Sequence, residues 1–295
     1  MAGVLKRNDG RGRLREMLAR PEPLLAPGAY DSLSARLIEQ AGFEVVYMTG
    51  FGTSASLLGR PDVGLLSFGE MVDNARRIAH AVDVPVIADA DDGYGSPINV
   101  IRTVQEYEAA GVAAIHIEDQ VAPKKCGHMQ DKHVVEAEEM VQKVHAAVEA
   151  RHSDDFLIIA RTDARAVEGL DRALERARRY REAGADVLFV EAPESEDEVV
   201  AVAKAFPGVP LLLNWAEGGK TPPLSRERLQ ELGYSLILFP LSALFLATHA
   251  MRESLVQLRM HGSPLPIMQR LTGFQEFLDI TGLPEIRELD RRFAH

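Results

Sequence analysis

The chain has 295 residues, of which 46% are hydrophobic and 26% charged, and its formal net charge is -11. The acidic balance excludes nucleic acid or an anionic membrane as the main partner, because either would need a basic face. A single cysteine excludes an intrachain disulfide framework and is typical of a reducing cytoplasm. No apolar run approaches the ~18 residues of a membrane span. We therefore expect a cytoplasmic globular protein.

The chain begins with a basic stretch, residues 6–20, which we interpret as the solvated face of a first helix. A repeated pattern follows, in which a polar helical stretch ends at Ala-Gly or Leu-Gly and an apolar run begins. It occurs at Gly42, Gly111, Gly184 and Gly233. Glycine is favoured after a helix because that position often adopts a left-handed conformation. Each glycine therefore predicts a turn from a helix to a strand.

The apolar runs between these turns are continuous rather than alternating, which indicates strands of a parallel sheet covered on both faces. They occupy residues 23–27, 44–50, 84–91, 113–119, 156–164, 185–192, 209–215 and 235–243. Eight strands alternating with helices predict a (β/α)8 TIM barrel, and a doubly wound sheet is the second possibility. We expect a single domain, with the barrel in residues 22–247 and a helical extension in 248–295. Its predicted helices are 248–260, 267–280 and 285–293.

Polar side chains cluster where these runs end, which is the reaction face of a barrel. They are Asp89 and Asp91 in the third run, His116 and Glu118 in the fourth, Arg161 in the fifth, Glu191 in the sixth and Asn214 in the seventh. Residues two apart on a strand point to the same side, so each of the first two pairs would share one mouth. Clustered carboxylates repel one another unless a cation is present. Their oxygen atoms favour Mg²⁺ or Mn²⁺ over zinc.

Each of these residues also has a purely structural interpretation. Asp89 and Asp91 could cap the helix that follows, and His116 could be an interior histidine with satisfied hydrogen bonds. Arg161 would be costly to bury without an anionic partner. That partner could be a substrate carboxylate or a structural pair with Glu191.

The only cysteine lies in the phrase Pro-Lys-Lys-Cys-Gly-His-Met at residues 123–129. A lone cysteine is often a small buried hydrophobe. Here two lysines and His128 favour the thiolate over the thiol, and Gly127 permits a tight or mobile loop. We therefore predict a functional Cys126.

Five phrases of the sequence together resemble the isocitrate lyase and phosphoenolpyruvate mutase superfamily, in order and in spacing. They are Asp89-Ala-Asp91-Asp-Gly-Tyr-Gly, His116-Ile-Glu118-Asp-Gln120, Lys124-Lys-Cys126-Gly-His128, Ala160-Arg161-Thr-Asp163-Ala and Asn214. The resemblance implies a (β/α)8 barrel whose last helix swaps between subunits, and a homotetramer built as a dimer of helix-swapped dimers. It also implies Mg²⁺ at the strand ends. The Lys-Lys-Cys-Gly-His phrase looks like the carbon–carbon lyase branch.

The resemblance assigns roles to individual positions. Asp89 would bind Mg²⁺ directly, and Asp62, Asp91, His116 and Glu118 would hold the ion directly or through waters. The substrate-binding residues would be Thr49, Gly50 and Phe51 at the 2-oxo-acid carboxylate, with Cys126, Gly127, Arg161, Glu191 and Asn214. The catalytic residues would be Tyr47 as a candidate base, Cys126 as general acid, and Lys124, His128, Arg161 and Glu118.

The implied chemistry is a retro-aldol cleavage of a small 2-hydroxy dicarboxylate. A base would remove the 2-hydroxyl proton, the bond to C3 would break, and pyruvate or a close analogue would leave. The other fragment would leave as a carboxylate-stabilised carbanion, to which Cys126 would deliver a proton. A catalytically silent barrel that senses a small acid is the alternative from another functional class.

Departures from the family pattern bear on the substrate. Relatives that cleave methylisocitrate hold its third carboxylate with one arginine after the eighth strand and another in the C-terminal helices. This chain has Ser-Ala-Leu-Phe at 242–245 and Leu-Thr-Gly-Phe at 271–274. The phrases at 214–222 and 275–277 look like the 2,3-dimethylmalate lyase and petal death protein branch, and Pro240 lies where oxaloacetate hydrolases tend to have serine. We expect a 2-alkylmalate substrate. The alternatives are a 2-methylisocitrate lyase, an oxaloacetate hydrolase and a phosphonate-forming or phosphonate-hydrolysing enzyme.

Overall fold

The computed structural model describes residues 10–294. Its eight strands are parallel and form a closed barrel in chain order, with the first strand paired to the last. They are β1 (Leu24–Ala29), β2 (Val46–Met48), β3 (Val86–Asp89), β4 (Ala114–Glu118), β5 (Leu157–Thr162), β6 (Val187–Val190), β7 (Leu211–Asn214) and β8 (Leu236–Phe239). The predicted barrel is confirmed, and the doubly wound alternative is wrong.

Helices follow the strands and surround the barrel. They are α1 (Leu14–Leu18), α2 (Ser32–Gln40), α3 (Gly50–Leu58), α4 (Phe68–Ala79), α5 (Pro97–Ala110), α6 (Ala137–Ala150), α7 (Ala164–Glu168), α8 (Leu170–Glu182), α9 (Glu196–Ala205), α10 (Arg226–Glu231), α11 (Ser242–His261), α12 (Phe274–Ile280) and α13 (Leu283–Phe293). Short 3-10 turns cover Gly10–Arg13 and Leu265–Arg270. Residues 6–9 of the predicted first helix lie outside the described residues.

The glycine pattern identified the helix-to-strand turns correctly. Gly42, Gly111, Gly184 and Gly233 have φ values of +91°, +97°, +107° and +84°. A side chain with a Cβ is disfavoured in this left-handed region, so glycine is the residue that these turns require.

The apolar clusters explain which end of the barrel is open. Leu14, Met17 and Leu18 of α1 join the cluster inside the barrel, together with Leu24 and Leu236 at the starts of β1 and β8. Helix α1 therefore closes the amino-terminal end of the barrel. A second, larger cluster lies between the strands and the surrounding helices. Because α1 covers only the amino-terminal end, a functional site can form at the carboxyl ends of the strands.

Seven of the eight strands are shorter than their apolar runs, β1 being the exception, and this corrects two predictions. Gly50 begins α3 rather than ending a strand, because Thr49 caps that helix and its hydroxyl accepts a hydrogen bond from the Gly52 amide at 3.3 Å. Asp91 lies beyond β3 in a left-handed conformation with φ +48°. Asp89 and Asp91 are therefore not neighbours on one face of a strand.

The C-terminal helices differ from the prediction in two ways. Helix α11 begins at Ser242, six residues earlier than expected, and the predicted helix at 267–280 is broken. The break lies between Leu271 and Gly273, whose extended ψ values are 139° and 147°. None of the helices α11, α12 and α13 has a buried side chain among the described residues, and Phe274 is 81% exposed. Within residues 10–294, no helix has both the length and the apolarity needed to span a bilayer.

Candidate active site

A cavity of about 230 Å³ opens at the carboxyl ends of the strands. Most of the predicted site residues line it: Tyr47, Thr49, Phe51, Asp62, Asp89, Lys124, Cys126, Gly127, His128, Arg161, Glu191 and Asn214. The other four, Gly50, Asp91, His116 and Glu118, are buried and each contacts a lining residue. The lining also includes Met129, Leu241 and the turn 216–219, which the sequence analysis did not select.

Three buried side chains form a candidate metal centre. Asp89 ends β3, and His116 and Glu118 lie on the neighbouring strand β4, with Asp89 and His116 in register. One potential ligand atom from each of the three lies within 4.8 Å of the others. Among the described residues, Nδ1 of His116 and Oε1 of Glu118 are buried without a hydrogen-bond partner. A satisfied interior histidine would not leave its ring nitrogen unpaired, so this observation favours a ligand role.

The charges around this centre fit a divalent cation. Burial raises the pKa of Glu118 well above its usual value, and burial raises the pKa of Asp91 to about 7. A cation here would offset the cost of burying these carboxylates. Two carboxylates and one imidazole suit Mg²⁺ or Mn²⁺. The capping alternative is wrong, because the helix after β3 begins at Pro97 with Ser96 as its N-cap residue.

Lys124 connects Asp62 and Asp91 beside this centre. Its Nζ lies 2.7 Å from Oδ1 of Asp62 and 2.6 Å from Oδ1 of Asp91. Burial lowers the pKa of Lys124, but Asp91, Asp89 and Asp62 outweigh burial and hold the pKa well above its usual value. Lys124 is therefore a fixed positive charge. Neither Asp62 nor Asp91 belongs to the three-residue metal cluster.

Arg161 is held by carboxylates on both sides. Its Nε and Nη2 donate to the two carboxylate oxygens of Asp163 at 2.9 and 3.1 Å, and Nη1 lies 3.1 Å from Oε2 of Glu118. The predicted structural pair with Glu191 is the weaker contact, at 3.9 Å. Asp163 is thus a site residue that the sequence analysis quoted in a phrase but did not select. Its position two residues after Arg161 was the available signal.

The environment of Cys126 contradicts the predicted thiolate. Nζ of Lys124 pairs with Asp62 and Asp91, and Nζ of Lys125 donates to the carbonyl of Asp131 at 2.8 Å. Both lysine ammonium groups are therefore engaged by partners other than the Cys126 thiol. Burial raises the pKa of the Cys126 thiol to about 11. A protonated thiol at neutral pH is suited to donate a proton and unsuited to act as a nucleophile.

His128 faces Glu191 from the same loop. Its Nδ1 accepts a hydrogen bond from the backbone amide of Lys220 at 3.1 Å, so a neutral ring carries its proton on Nε2. That nitrogen lies 3.3 Å from Oε1 of Glu191. The amide of Asn214 also donates to Glu191, at 3.1 Å. His128, Glu191 and Asn214 therefore form one connected wall of the cavity.

Tyr47 and His116 form a buried pair, with the phenol oxygen 2.9 Å from Nε2 of the imidazole. Burial raises the pKa of Tyr47 well above its usual value, and burial lowers the pKa of His116 to about 4. At neutral pH the phenol therefore keeps its proton and the imidazole is uncharged. For Tyr47 to act as a base, its own proton would first have to pass to another group.

A second group of lining residues is mostly apolar, and we call it the apolar end of the cavity, in distinction from the charged end around Asp89 and Arg161. The rings of Phe51 and Phe245 meet edge to face with centroids 6.3 Å apart, and Pro240 and Leu241 complete this wall. Glu217 is the charged lining residue supplied after β7, and its Oε2 accepts a hydrogen bond from the Leu241 amide at 3.0 Å. The cavity residues contributed after β7 and β8 include no lysine or arginine in the described chain.

Comparison with known proteins agrees with this geometry. The phosphoenolpyruvate phosphomutase family model matches residues 14–259. The chain belongs to the phosphoenolpyruvate mutase and isocitrate lyase superfamily. The chain is 49% identical to the 2,3-dimethylmalate lyase of Eubacterium barkeri, over 96% of this chain and 97% of that protein. It is 45% identical to the probable 2-methylisocitrate lyase 1 of Corynebacterium glutamicum, over 91% of this chain and 88% of the other. The predicted enzyme class, an oxo-acid lyase of this superfamily, is confirmed.

Solved structures of the superfamily share the whole fold. Oxaloacetate acetylhydrolase in complex with 3,3-difluorooxalacetate superposes with a TM-score of 0.93 at 39% identity, covering 98% of both chains. Phosphonopyruvate hydrolase in complex with oxalate and Mg²⁺ superposes with a TM-score of 0.88 at 33% identity, covering 98% of this chain and 100% of that one. Members of the superfamily therefore bind Mg²⁺ and small organic acids.

Proposed function

We propose that the protein is a Mg²⁺-dependent lyase that cleaves a 2-alkylmalate such as 2,3-dimethylmalate into pyruvate and a short carboxylate. The observation that carries this proposal is the contrast within the cavity. One end gathers buried carboxylates, Arg161 and a protonated Cys126, whereas the other end is apolar and lined by Phe51 and Phe245. The 49% identity to a 2,3-dimethylmalate lyase supports the same substrate.

The charged end would bind the 2-hydroxy acid. Asp89, His116 and Glu118 would hold the metal ion, which when bound polarises the oxygens of the substrate. Arg161, oriented by Asp163 and Glu118, would pair with the substrate carboxylate. The turn from Thr49 into α3 would hold the carboxylate of the oxo acid, because the amino end of a helix favours anions.

Bond cleavage requires two proton movements. A base takes the proton of the 2-hydroxyl group, the C2–C3 bond breaks, and its electron pair becomes a carboxylate-stabilised carbanion. The Cys126 thiol then gives its proton to that carbon. Tyr47 is the proposed base, and because its phenol is protonated at neutral pH, its own proton would pass to another group as Tyr47 receives that of the substrate.

The apolar end would receive the alkyl substituent. A third carboxylate placed there would lose its hydration, and Glu217 would repel it. Burying an unpaired charge is costly, so the cavity disfavours a tricarboxylate. The second candidate, a 2-methylisocitrate lyase, is supported by the 45% identity to a probable enzyme of that kind.

A panel of acids tests the proposal. The full-length protein with Mg²⁺ would be assayed for pyruvate from 2,3-dimethylmalate and 2-methylisocitrate, for glyoxylate from isocitrate, and for oxalate from oxaloacetate. We expect the highest kcat/KM with 2,3-dimethylmalate. Highest turnover of 2-methylisocitrate would select the second candidate, oxalate as the main product would indicate a hydrolase, and no turnover of any acid would overturn the lyase proposal.

We also propose that the protein is a cytoplasmic homotetramer in which the C-terminal helices pack on another copy. The exposed apolar side chains of these helices support this, since Leu246, Met260 and Phe274 are at least 70% exposed in the single chain. Light scattering on the purified protein would measure the mass. A monomer at micromolar concentration would contradict the helix swap.

A further inference from the structure

Lys132 lies in the segment 121–136, which carries Cys126 across the cavity, yet its side chain is only 1% exposed. Its Nζ contacts the carbonyl oxygen of Gly127 and lies 2.6 Å from Oδ1 of Asp163. A lysine ammonium is rarely buried without such partners. Lys132 therefore joins the residue next to Cys126 to the end of β5.

Asp163 connects this contact to the substrate-binding arginine. The same Oδ1 atom that meets Lys132 also accepts from Nη2 of Arg161 at 3.1 Å. The backbone amide of Asp163 donates to Oδ1 of Asp119 at 2.8 Å, which fixes the aspartate in turn. Burial raises the pKa of Asp163, but Arg161 and Lys132 outweigh burial and hold it below its usual value. One ionised carboxylate thus links two cations of the site.

The close packing at Gly127 shows how tightly the segment is held against the site. A Cβ added to Gly127 would lie 2.1 Å from Oε1 of Glu191 and 2.5 Å from Nη2 of Arg161. Both distances are far shorter than van der Waals contact. The backbone beside Cys126 therefore rests directly on the side chains that face the cavity, and any outward shift of Gly127 would move the thiol with it.

We propose that Lys132 is a positioning residue that latches the Cys126 segment onto Arg161 through Asp163. The inference deepens the proposed function, because it rests on Cys126 acting as the proton donor at this site. Without the Lys132 ammonium, Gly127 and Asp163 lose their shared partner while the pair between Arg161 and Asp163 remains. Loss of Lys132 would therefore slow the proton transfer step more than it would weaken substrate binding.

The test uses the full-length Lys132→Met variant, which keeps the length of the side chain and removes its charge. Lys143→Met is the matched control, because Lys143 is also only 2% exposed and donates to a backbone carbonyl, that of Asp92, at 3.0 Å. The rate of Cys126 alkylation by N-ethylmaleimide and the hydrogen exchange of peptide 121–136 would be measured. Both would be repeated with Mg²⁺ and oxalate as the probe.

We expect Lys132→Met to raise the alkylation rate about tenfold and to speed exchange in peptide 121–136, since the segment opens locally. Lys143→Met should change neither by more than about twofold. With a substrate turned over by the wild type, kcat should fall about 10–100-fold with KM within about threefold, because the misplaced group acts in the chemical step.

A folded Lys132→Met protein with wild-type alkylation and exchange would overturn the latch. Should this variant fail to fold, Lys132→Gln, whose side chain is shorter and neutral, tests the same contact, and wild-type alkylation and exchange in that variant would overturn the latch equally. Alkylation and exchange need no turnover. A protein that opened on loss of Lys132 but cleaved none of the tested acids would support the latch and contradict the proposed reaction.

Discussion

The two ends of the cavity differ in how strongly the structure fixes them. At the charged end, Asp89, His116 and Glu118 come from adjacent strands and are buried, and Glu118 forms an ion pair with Arg161. At the apolar end, the wall consists of ring contacts and of side chains supplied by loops after β7 and β8. The first end is suited to the bond-breaking chemistry and the second to the choice of substrate. Substitutions at the charged end should lower kcat/KM for every substrate. Substitutions at the apolar end should change which substrate has the highest kcat/KM.

The largest effect is expected from loss of the metal at the charged end. Treatment with EDTA, or the substitution Asp89→Ala, should lower kcat/KM by at least about 10³-fold for every acid, because uncompensated carboxylates would repel the substrate. Steady-state pyruvate release would measure this, with Mg²⁺ added back to the EDTA-treated protein as the control. Full activity in metal-free buffer would contradict the metal centre.

Cys126→Ser should have the next largest effect. A general acid contributes about 10²–10⁴-fold, so we expect kcat to fall on the order of 10³-fold with little change in KM. Stopped assays of both products would measure the loss. A matched control is Met129→Leu, which changes an apolar residue of the same loop and should stay within about threefold of wild type. Wild-type turnover by Cys126→Ser would remove the thiol from the mechanism.

The protonation state of Cys126 has its own pH signature. Burial raises its pKa to about 11, so the reactive thiolate is lost as pH falls below that value and the thiol is retained throughout the neutral range. Alkylation by iodoacetamide should then be about 100-fold slower at pH 8 than for the unfolded chain, and should rise about tenfold per pH unit up to pH 10. A rate that levels off below pH 9 would show a thiolate instead.

At the apolar end, Phe245→Arg should change the relative kcat/KM values of the substrates. The guanidinium would offer a partner to a third carboxylate, so kcat/KM for 2-methylisocitrate relative to 2,3-dimethylmalate should rise about 10-fold. Phe245→Leu is the control, because it changes the size of the side chain without adding charge. If both variants shifted the ratio equally, shape rather than charge would explain the selectivity.

The sequence predicted the barrel and the charged end well for physical reasons that can be named. Continuous apolar runs indicate parallel strands, and the polar residues that end them must meet at one mouth. This rule alone was enough to place Asp89 and Glu118 at the site. The helix-to-strand turns could also be predicted from glycine, because the left-handed φ at Gly42 and Gly184 restricts the choice of residue.

Other contacts of the site could not be predicted, because neighbouring positions in the sequence do not show where the side chains point. Lys124 and Lys125 flank Cys126, yet both ammonium groups point to other partners, so the predicted thiolate was wrong. The pair of Lys132 and Asp163 joins residues 31 positions apart. Phe51 and Phe245 meet only because the barrel closes and brings α3 beside α11. Long-range packing determined each of these contacts.

The substrate preference of the wild-type protein decides between the two lyase activities, and its measure is the ratio of kcat/KM for 2,3-dimethylmalate to that for 2-methylisocitrate at saturating Mg²⁺. An apolar wall and Glu217 leave a third carboxylate unpaired, so we expect a ratio of about 100 or more. A ratio of about 1 or below would contradict this expectation.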